Sequence, residues 1–434
     1  MSVPQLLLYY LLKGIARVFL AFFYPRTLLR GGEFLTLRHP TLVASNHPNT
    51  LIDVLNAAGR VSRPLFMLAN AGLFRSKPVA RLLSFLYSIP VERPQDVDGR
   101  PINNDGSFER CFYHLRKGDH IFVAPEGGSE CERRLRPLRS GTARIALGAE
   151  ASADFTLGVR ILPIGFTYQD PGRCGTALAV EIGRPVVVKD WESQYRSDPR
   201  KAYRDLTQHL ETQMRNLLTD AENSAMDTLL ATLEKMKYSG ILPSVQDEFE
   251  HSRTLLARLK AYKKVHPDGY ARLEERACAY ADELTRHGLE EGGMGEKEGY
   301  WAGLYLASFP WFIPWFFAYS LYVIPIMGIR SLPGALGADR SYDATVKWAG
   351  ALLLLPIWVF IVLAGVFFLA GATLALAAAL CMWLGAVGYA LWLPRQRVLA
   401  ARIRAGRFRA KQPGEWKRLQ EMREGIVREW SAVV

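Results

Sequence analysis

Between residues 31 and 190, short apolar runs alternate with stretches of helical periodicity. Apolar runs predict strands at Thr41–Ala44, Pro64–Ala69, His120–Ala124, Ile161–Tyr168 and Ala177–Ile182. Helical spacing predicts helices at Ile52–Ala58, Lys77–Tyr87, Gly106–Arg116 and Ser140–Ser152. This alternation is typical of an α/β domain with a mostly parallel sheet and flanking helices, which we place at residues 29–190. In such sheets, ligands bind beyond the carboxyl ends of the strands.

The N-terminal apolar stretch, residues 4–24, is interrupted by Lys13, Gly14 and Arg17. The two cations are four residues apart and therefore share one helix face. Since cations are costly at the centre of a bilayer, we predict that residues 1–28 form an amphipathic helix lying in the membrane interface. A buried core helix is the alternative. Residues 191–298 lose the strand pattern and predict a helical appendage, with helical spacing over 199–237 and 244–287.

Residues 299–394 predict membrane segments. No charged residue occurs in 303–329 or in 349–393, and both stretches are long enough for a spanning helix. We interpret 349–393 as a transmembrane hairpin that turns near Gly371. Three prolines, Pro310, Pro314 and Pro325, interrupt 303–329, which we expect to be re-entrant or interfacial.

The chain ends in a basic tail. Residues 395–434 hold 11 Lys and Arg against 4 Asp and Glu, and the whole chain of 434 residues carries a net charge of +12. Beside membrane segments, this charge favours anionic lipid over nucleic acid as the partner. By the positive-inside rule, the tail is expected on the cytoplasmic face of an integral or tightly associated membrane protein, and we place residues 29–190 on the same face. The five scattered cysteines without CxxC spacing indicate a reducing compartment and no zinc site.

The chemistry-bearing stretch is Ser45–Asp53, which directly follows the predicted strand Thr41–Ala44. Pro48 suits the first turn of a helix, so His47 is predicted at a strand-to-helix corner. A histidine backed by a carboxylate is a general base with a fixed tautomer. Five residues separate His47 from Asp53, so the two side chains meet only if the chain turns between them.

Three further stretches follow in order. Ser88–Pro94 predicts a short strand that ends in Glu92 and Arg93, and Ile121–Glu130 predicts a strand and then a glycine-bearing turn. Backbone N–H groups in such a turn can face an anion. Four arginines crowd behind it: Arg133, Arg134, Arg136 and Arg139. The last stretch, Leu162–Tyr168, is an apolar strand without evident chemistry of its own.

These stretches resemble the four ordered blocks of the glycerolipid acyltransferase superfamily, the PlsC-type domain. The blocks read Asn46-His47…Asp53, Pro90-Val91-Glu92-Arg93, Pro125-Glu126-Gly127-Gly128-Ser129 and Pro163-Ile164-Gly165. Most members have four residues between His and Asp and continue the third block with Thr-Arg-Ser. The two departures here resemble the fungal dual glycerol-3-phosphate/dihydroxyacetone-phosphate acyltransferases and their bacterial relatives, which also carry hydrophobic segments after the catalytic domain.

The resemblance implies acyl transfer from acyl-CoA or acyl carrier protein to a hydroxyl of glycerol-3-phosphate or dihydroxyacetone phosphate in phospholipid biosynthesis. His47 would be the general base and Asp53 its partner, with no metal and no cofactor. The acceptor phosphate would bind at Arg93 and at the turn Glu126, Gly127, Gly128 and Ser129. Arg133 or Arg134 would replace the arginine that the third block lacks, and Glu126 would order the turn or Arg93. Oxyanion donors are expected near Asn49–Leu51.

Other interpretations remain open. The acceptor could be 1-acylglycerol-3-phosphate, an ornithine-type lipid or a lipid A precursor. A non-catalytic membrane scaffold has no chemical need for the complete set of His47, Asp53, Arg93 and Glu126. A nucleic-acid-binding protein would match the charge, but the sequence contains no recognition motif for nucleic acid, and nucleic-acid binding would not explain the hairpin.

Overall fold

The computed structural model describes residues 3–93, 103–238, 243–295, 316 and 320–431. Most of the predicted segment 303–329 therefore lies outside the described residues, and so does Pro94. The chain forms two compact units. One comprises Met1–Arg173, Leu178–Asp220 and Asp339–Thr345, and the other comprises Cys174–Ala177, Ala221–Ala338 and Val346–Val434.

The first unit is built on a sheet of eight strands. They are β1 (Arg26–Arg30), β2 (Thr41–Ser45), β3 (Leu65–Asn70), β4 (Ser88–Val91), β5 (His120–Val123), β6 (Arg160–Tyr168), β7 (Ala177–Ile182) and β8 (Val186–Val187). The order across the sheet is β1-β7-β6-β2-β5-β3-β4, with β8 paired to β6. Strands β6, β2, β5, β3 and β4 run parallel, whereas β7 and β8 pair antiparallel with β6. The predicted mostly parallel sheet is confirmed. Strands β1 and β8 were not predicted.

The described residues up to 216 form seven α-helices: α1 (Val3–Phe23), α2 (Leu51–Arg60), α3 (Lys77–Phe85), α4 (Asp105–Arg116), α5 (Gly141–Ala151), α6 (Glu192–Ser197) and α7 (Pro199–Asn216). Helix α7 buries Ala202, Leu206, Leu210 and Met214 in the same apolar core as strands β2 and β5. Residues 192–216 therefore belong to the sheet unit and not to the helical appendage that the sequence predicts for 191–298. The reason is the apolar stripe of α7, which the sheet face covers.

Helix α1 presents its two cations to the protein. Lys13 Nζ donates to the carbonyl of Val61 at 2.6 Å and Arg17 Nε donates to the carbonyl of Gly59 at 2.6 Å. These carbonyls lie at the end of α2, where helices leave acceptors unsatisfied and cations are favoured. On the opposite side, Val3, Leu7, Leu11 and Val18 are exposed. The shared face of Lys13 and Arg17 is thus turned inward, and an apolar face is turned outward; the placement of α1 in a membrane interface stays a prediction.

The second unit is helical. Its helices include α8 (Ser224–Lys237), α9 (Val245–Val265), α10 (Pro267–Arg286), α11 (Asp343–Lys411), whose first turn belongs to the sheet unit, and α12 (Pro413–Ser431), and residues 320–335 are also helical. The continuous helical pattern predicted over 199–237 is in fact divided between α7 and α8, because Asn223 caps a new helix by accepting from Met226 N.

Helix α12 lies in the predicted basic tail and is part of this helical core. Its Leu419 and Ile426 are buried together with residues of α8, α9 and α10. Arg423 Nε donates to Glu291 at 2.7 Å, and this buried carboxylate also accepts the hydroxyl of Tyr280. Arg404 and Arg418 pair with Glu290 and Glu283. Several arginines of the predicted tail therefore form ion pairs within the helical unit, so part of the positive charge of residues 395–434 is balanced by acidic side chains.

In the described part of the chain, two helical stretches are long and apolar enough to cross a membrane, Val3–Phe23 and Arg340–Tyr389. Large apolar side chains of the second stretch are widely exposed, among them Phe360, Phe368, Leu369 and Leu376. Gly371 interrupts α11 with non-helical backbone angles, φ 83° and ψ 174°. This break lies where the sequence predicts a turn between two membrane helices; the hairpin itself stays a prediction.

Candidate active site

The sheet topology brings three of the four sequence blocks to adjacent strand ends. Strand β2, which leads into His47, lies between β5 and β6, with Ala44 level with Val123 and Ser45 level with Ile164. The third block follows β5, and the fourth lies within β6. Because β2 and β5 run parallel, the first and third blocks emerge at the same edge of the sheet. The predicted position of His47 at a strand-to-helix corner agrees with this geometry.

His47 and Asp53 form a hydrogen-bonded pair. His47 Nδ1 lies 3.1 Å from Asp53 Oδ2, and the side chains are 18% and 0% exposed. Asp53 sits in the first turn of α2, where the helix dipole favours a negative charge. A carboxylate accepts only, so Nδ1 carries the proton and Nε2 is left as an acceptor. The arrangement is that of an oriented general base.

Asp53 is held by two further donors. Oδ2 also accepts the N–H of Asn49 at 2.7 Å, and Oδ1 accepts the hydroxyl of Tyr168 at 2.6 Å. Burial, with the neighbouring carboxylate, holds the pKa of Tyr168 well above its ordinary value, so the phenol stays a donor. A buried carboxylate needs such donors to stay charged without a cation beside it. The turn between His47 and Asp53 is therefore held in shape by hydrogen bonds to the Asp53 carboxylate.

Sequence reasoning missed the groups that surround this pair. Asn46 clamps β6, because its Nδ2 donates to Phe166 O at 2.9 Å and its Oδ1 accepts from Phe166 N at 2.8 Å. The amide of Asn49 donates to Tyr24 Oη at 2.7 Å and to Pro171 O at 3.0 Å. The only signal for Tyr168 was a hydroxyl at the end of an otherwise apolar strand.

The third block binds the first block rather than leaving its groups open. Glu126 accepts His47 N–H at 3.0 Å and Arg136 N–H at 3.1 Å, and burial raises its pKa. Ser129 Oγ accepts Thr50 N–H at 3.1 Å. Gly127, at φ 75°, donates its N–H to Ala124 O. These contacts hold the turn, because amides at a buried turn must be satisfied locally. The phosphate-binding role of Glu126, Gly127, Gly128 and Ser129 stays a prediction.

The arginines behind this turn differ in their surroundings. Arg136 is paired with Glu130 and Glu132. Arg139 Nε donates to Glu126 O at 3.3 Å, and its side chain covers Gly127 so closely that a Cβ there would lie 2.7 Å from Nε. Arg133 and Arg134 are half-buried on the same loop. Glu126 accepts the main-chain N–H groups of His47 and Arg136, and the ordering of Arg93 by Glu126 stays a prediction.

Arg93 lies farther from the dyad than the other blocks. It follows the edge strand β4, and the order β2-β5-β3-β4 puts three strand spacings, about 14 Å, between it and β2. Glu92, its neighbour, accepts from Asn103 N–H, and Asn104 bonds both the N–H and the carbonyl of Glu92. Block two is therefore anchored at the start of α4, at the same edge of the sheet as His47.

A second histidine–aspartate pair lies at the other edge. His114 Nδ1 is 2.9 Å from Asp119 Oδ2, and its ring packs on Phe66 with 3.8 Å between centroids. Both residues precede β5, at the amino ends of the parallel strands. Nearby His120 is buried, which lowers its pKa to about 4. Within the described ranges, no group of three or more His, Cys, Asp or Glu side chains is arranged to hold a metal ion.

Residues 26–167 match the acyltransferase family, the region that contains the dyad and the four blocks. The match supports an acyltransferase domain over this part of the chain. The resemblance inferred from the blocks is confirmed. The acyltransferase domain contributes all the hydrogen bonds between His47, Asp53 and Glu126 described above, with Tyr168 one residue beyond the match.

Two budding-yeast proteins and one bacterial structure are similar to the chain. It is 31% identical to glycerol-3-phosphate O-acyltransferase 2 of Saccharomyces cerevisiae over 130 residues, 30% of this chain and 17% of the yeast protein. It is 35% identical to glycerol-3-phosphate O-acyltransferase 1 of the same yeast over 82 residues, 19% and 10% of the two chains. The crystal structure of the 1-acyl-sn-glycerophosphate acyltransferase PlsC from Thermotoga maritima aligns with a TM-score of 0.36 and 18% identity, over 49% of this chain and 79% of that chain. The chain thus spans less than a fifth of either yeast relative's length.

Tyr168→Phe should destabilise the protein by about 1–3 kcal/mol, because the buried Asp53 Oδ1 and the Asn56 amide both lose their phenol partner. Tyr203→Phe is the matched control, since its hydroxyl makes only a 3.4 Å contact with Tyr195 and is partly buried. Urea unfolding of both variants measures the difference. Equal stability of Tyr168→Phe and wild type would show that the phenol does not hold Asp53.

Proposed function

We propose that this chain is a membrane-associated O-acyltransferase that moves a fatty acyl group from acyl-CoA or acyl carrier protein to a hydroxyl of glycerol-3-phosphate or dihydroxyacetone phosphate. The observation that carries the proposal is the His47 ring, oriented by a fully buried Asp53 at the carboxyl edge of the sheet inside the acyltransferase domain. The names of the two yeast relatives support glycerol-3-phosphate as the acceptor class.

The chemistry assigns one proton path. Nε2 of His47 takes the acceptor's hydroxyl proton while the hydroxyl oxygen attacks the thioester carbonyl carbon. The tetrahedral intermediate then collapses, the C–S bond breaks, and the imidazolium returns the proton to the departing sulfur. General base catalysis of this kind contributes about 100- to 10,000-fold. No serine or cysteine nucleophile is required, because a thioester is already activated and both substrates are held together.

The oxyanion would be stabilised at the start of α2. The N–H groups of Asn49 and Thr50 are already bonded to Asp53 and Ser129. The N–H groups of Ile52 and Asp53 bond the carbonyls of Asn49 and Thr50. We therefore assign the oxyanion to the Leu51 N–H, the first amide of the helix, where the helix dipole also favours negative charge.

The acceptor phosphate would bind among the arginines of the carboxyl edge. Arg133 and Arg134 lie on the loop that follows β5, the strand next to β2, and Arg93 follows β4 at the sheet edge. All three would present guanidinium groups suited to bidentate phosphate binding. The apolar stretches Val3–Phe23 and Arg340–Tyr389 support a membrane location, where an acyl chain and its lipid product are soluble. The basic composition of 395–434 supports a cytoplasmic orientation.

An acceptor panel tests the substrate class. The purified full chain should acylate glycerol-3-phosphate or dihydroxyacetone phosphate at a higher kcat/KM than 1-acylglycerol-3-phosphate, an ornithine-type lipid or a lipid A precursor. The same panel run with acyl-CoA and with acyl carrier protein identifies the donor. Preference for a lipid acceptor would replace the proposed acceptor class, and inactivity towards every acceptor would favour the scaffold interpretation.

His47→Ala and Asp53→Asn should each lower kcat on the order of 1,000-fold or more, because the base is removed or loses its orienting acceptor. His114→Ala provides a matched control, since it removes the other aspartate-paired histidine from the opposite edge of the sheet. Its kcat should stay within about twofold of wild type. Thermal unfolding should confirm that all three variants fold. Near-normal turnover by His47→Ala would refute the role of the dyad.

Arg93→Ala should chiefly raise the KM for the acceptor, because a lost phosphate contact weakens ground-state binding. An increase on the order of tenfold is expected from the loss of one charge-assisted hydrogen bond. Lys117→Ala is the comparison, because Lys117 is a solvent-exposed cation that follows helix α4 and does not lie in the edge strand β4. An unchanged acceptor KM in Arg93→Ala would assign the phosphate to Arg133 and Arg134 instead.

A further inference from the structure

Thr50 has a strained backbone in the turn between His47 and Asp53. Its angles are φ 40° and ψ −123°, a region that β-branched residues avoid. Strained residues persist only where the surroundings fix them, and they gather at functional sites. The question is therefore which groups hold Thr50 in this conformation.

Three hydrogen bonds hold it. The Thr50 N–H donates to Ser129 Oγ at 3.1 Å, from the third sequence block. The Thr50 hydroxyl lies 3.1 Å from the carbonyl of Ser341 and 2.6 Å from the hydroxyl of Thr345. A carbonyl only accepts, so the Thr50 hydroxyl donates to Ser341 and the Thr345 hydroxyl donates to Thr50. Two of the three partners thus come from one segment, nearly 300 residues downstream.

That segment, Asp339–Thr345, is part of the sheet unit and is called the clasp below. It is ordered by its own contacts: the Asp339 carboxylate accepts Ser341 N–H at 2.9 Å and Ser341 Oγ–H at 2.8 Å. Ser341 and Ala344 are buried. Asp343 packs against Gly172, where an added Cβ would lie 3.1 Å from the Asp343 side chain. The clasp is therefore an ordered segment that is fixed by its own hydrogen bonds and by its packing against the sheet unit.

The clasp reaches the dyad through one residue. Thr50 follows Asn49, whose N–H donates to the same Asp53 oxygen that orients His47. The N–H of Asp53 donates to the carbonyl of Thr50. Movement of Thr50 would therefore shift both the donor and the backbone of the carboxylate that fixes the imidazole.

We propose that Thr345 is a positioning residue for acyl transfer, acting through Thr50 on the His47–Asp53 pair. The clasp lies outside the region that matches the acyltransferase family. It consists of the residues just before the long apolar helix α11 and of the first turn of that helix. The acyltransferase domain is then completed by the chain that leads into its candidate membrane helix. This inference rests on the proposed function.

The test uses the full chain and three hydroxyl variants. Thr345→Val keeps the side-chain shape and removes the donor, whereas Thr345→Ser keeps the donor. We expect Thr345→Val to lower kcat roughly ten- to a hundredfold with KM for both substrates nearly unchanged, and Thr345→Ser to restore most of it. Thr228→Val is the control, because Thr228 is a half-buried threonine of α8 whose hydroxyl donates to the Ser224 carbonyl of its own helix.

A double-mutant cycle separates positioning from general destabilisation. Thr50→Val should lose at least as much kcat as Thr345→Val, because it also loses the bond to Ser341, and the double variant should lose no more than Thr50→Val alone. Multiplicative losses, a wild-type kcat in Thr345→Val, or a loss equal to that of Thr228→Val would overturn the proposal. If Thr345→Val does not fold, Thr50→Val and Thr50→Ser carry the same comparison. An inactive wild-type chain would instead refute the proposed function.

Discussion

The buried carboxylate of Asp53 is the constraint on which the rest of the site depends. A charge removed from water and left without a cation needs several hydrogen-bond donors. It receives them from His47, from the Asn49 main chain and from Tyr168. Two donors come from the turn after β2 and the third from the end of β6, whereas Asp53 lies in the first turn of α2. Meeting the need of one oxygen pair therefore fixes this turn, the start of α2 and the end of β6 relative to one another.

The need to satisfy buried polar groups also explains the contacts of the third sequence block. A glutamate and a serine that follow β5 accept main-chain N–H groups of the turn after β2. Parallel neighbours make this possible, because adjacent strands end at the same level and their following loops touch. Glu126 is costly to bury, as its raised pKa indicates, and two amide donors offset that cost. Glu126 and Ser129 therefore hold the turn that contains His47 and Thr50 against the loop that follows β5.

The sequence predicted much of the sheet and the positions of the blocks, because strand and helix periodicity are local and the blocks are ordered along the chain. From the sequence, contact between His47 and Asp53 was expected only if the chain turns between them. The contributions of Tyr168, Asn46 and the clasp could not be read from it, because they depend on which strands are neighbours and on a contact between residues 50 and 345. The inclusion of α7 in the core was missed for the same reason: an amphipathic stripe does not name the surface that covers it.

The separation of Thr50 from Thr345 has a consequence for biogenesis. During synthesis the sheet strands and α2 leave the ribosome long before residue 345, and contacts between such distant positions form late. The strained turn at Thr50 then lacks two of its three partners until the start of the apolar helix has been made. A nascent or prematurely terminated chain would hold the sheet strands without two of the contacts that fix Thr50, so the turn between His47 and Asp53 matures only after the start of the long apolar helix has been synthesised.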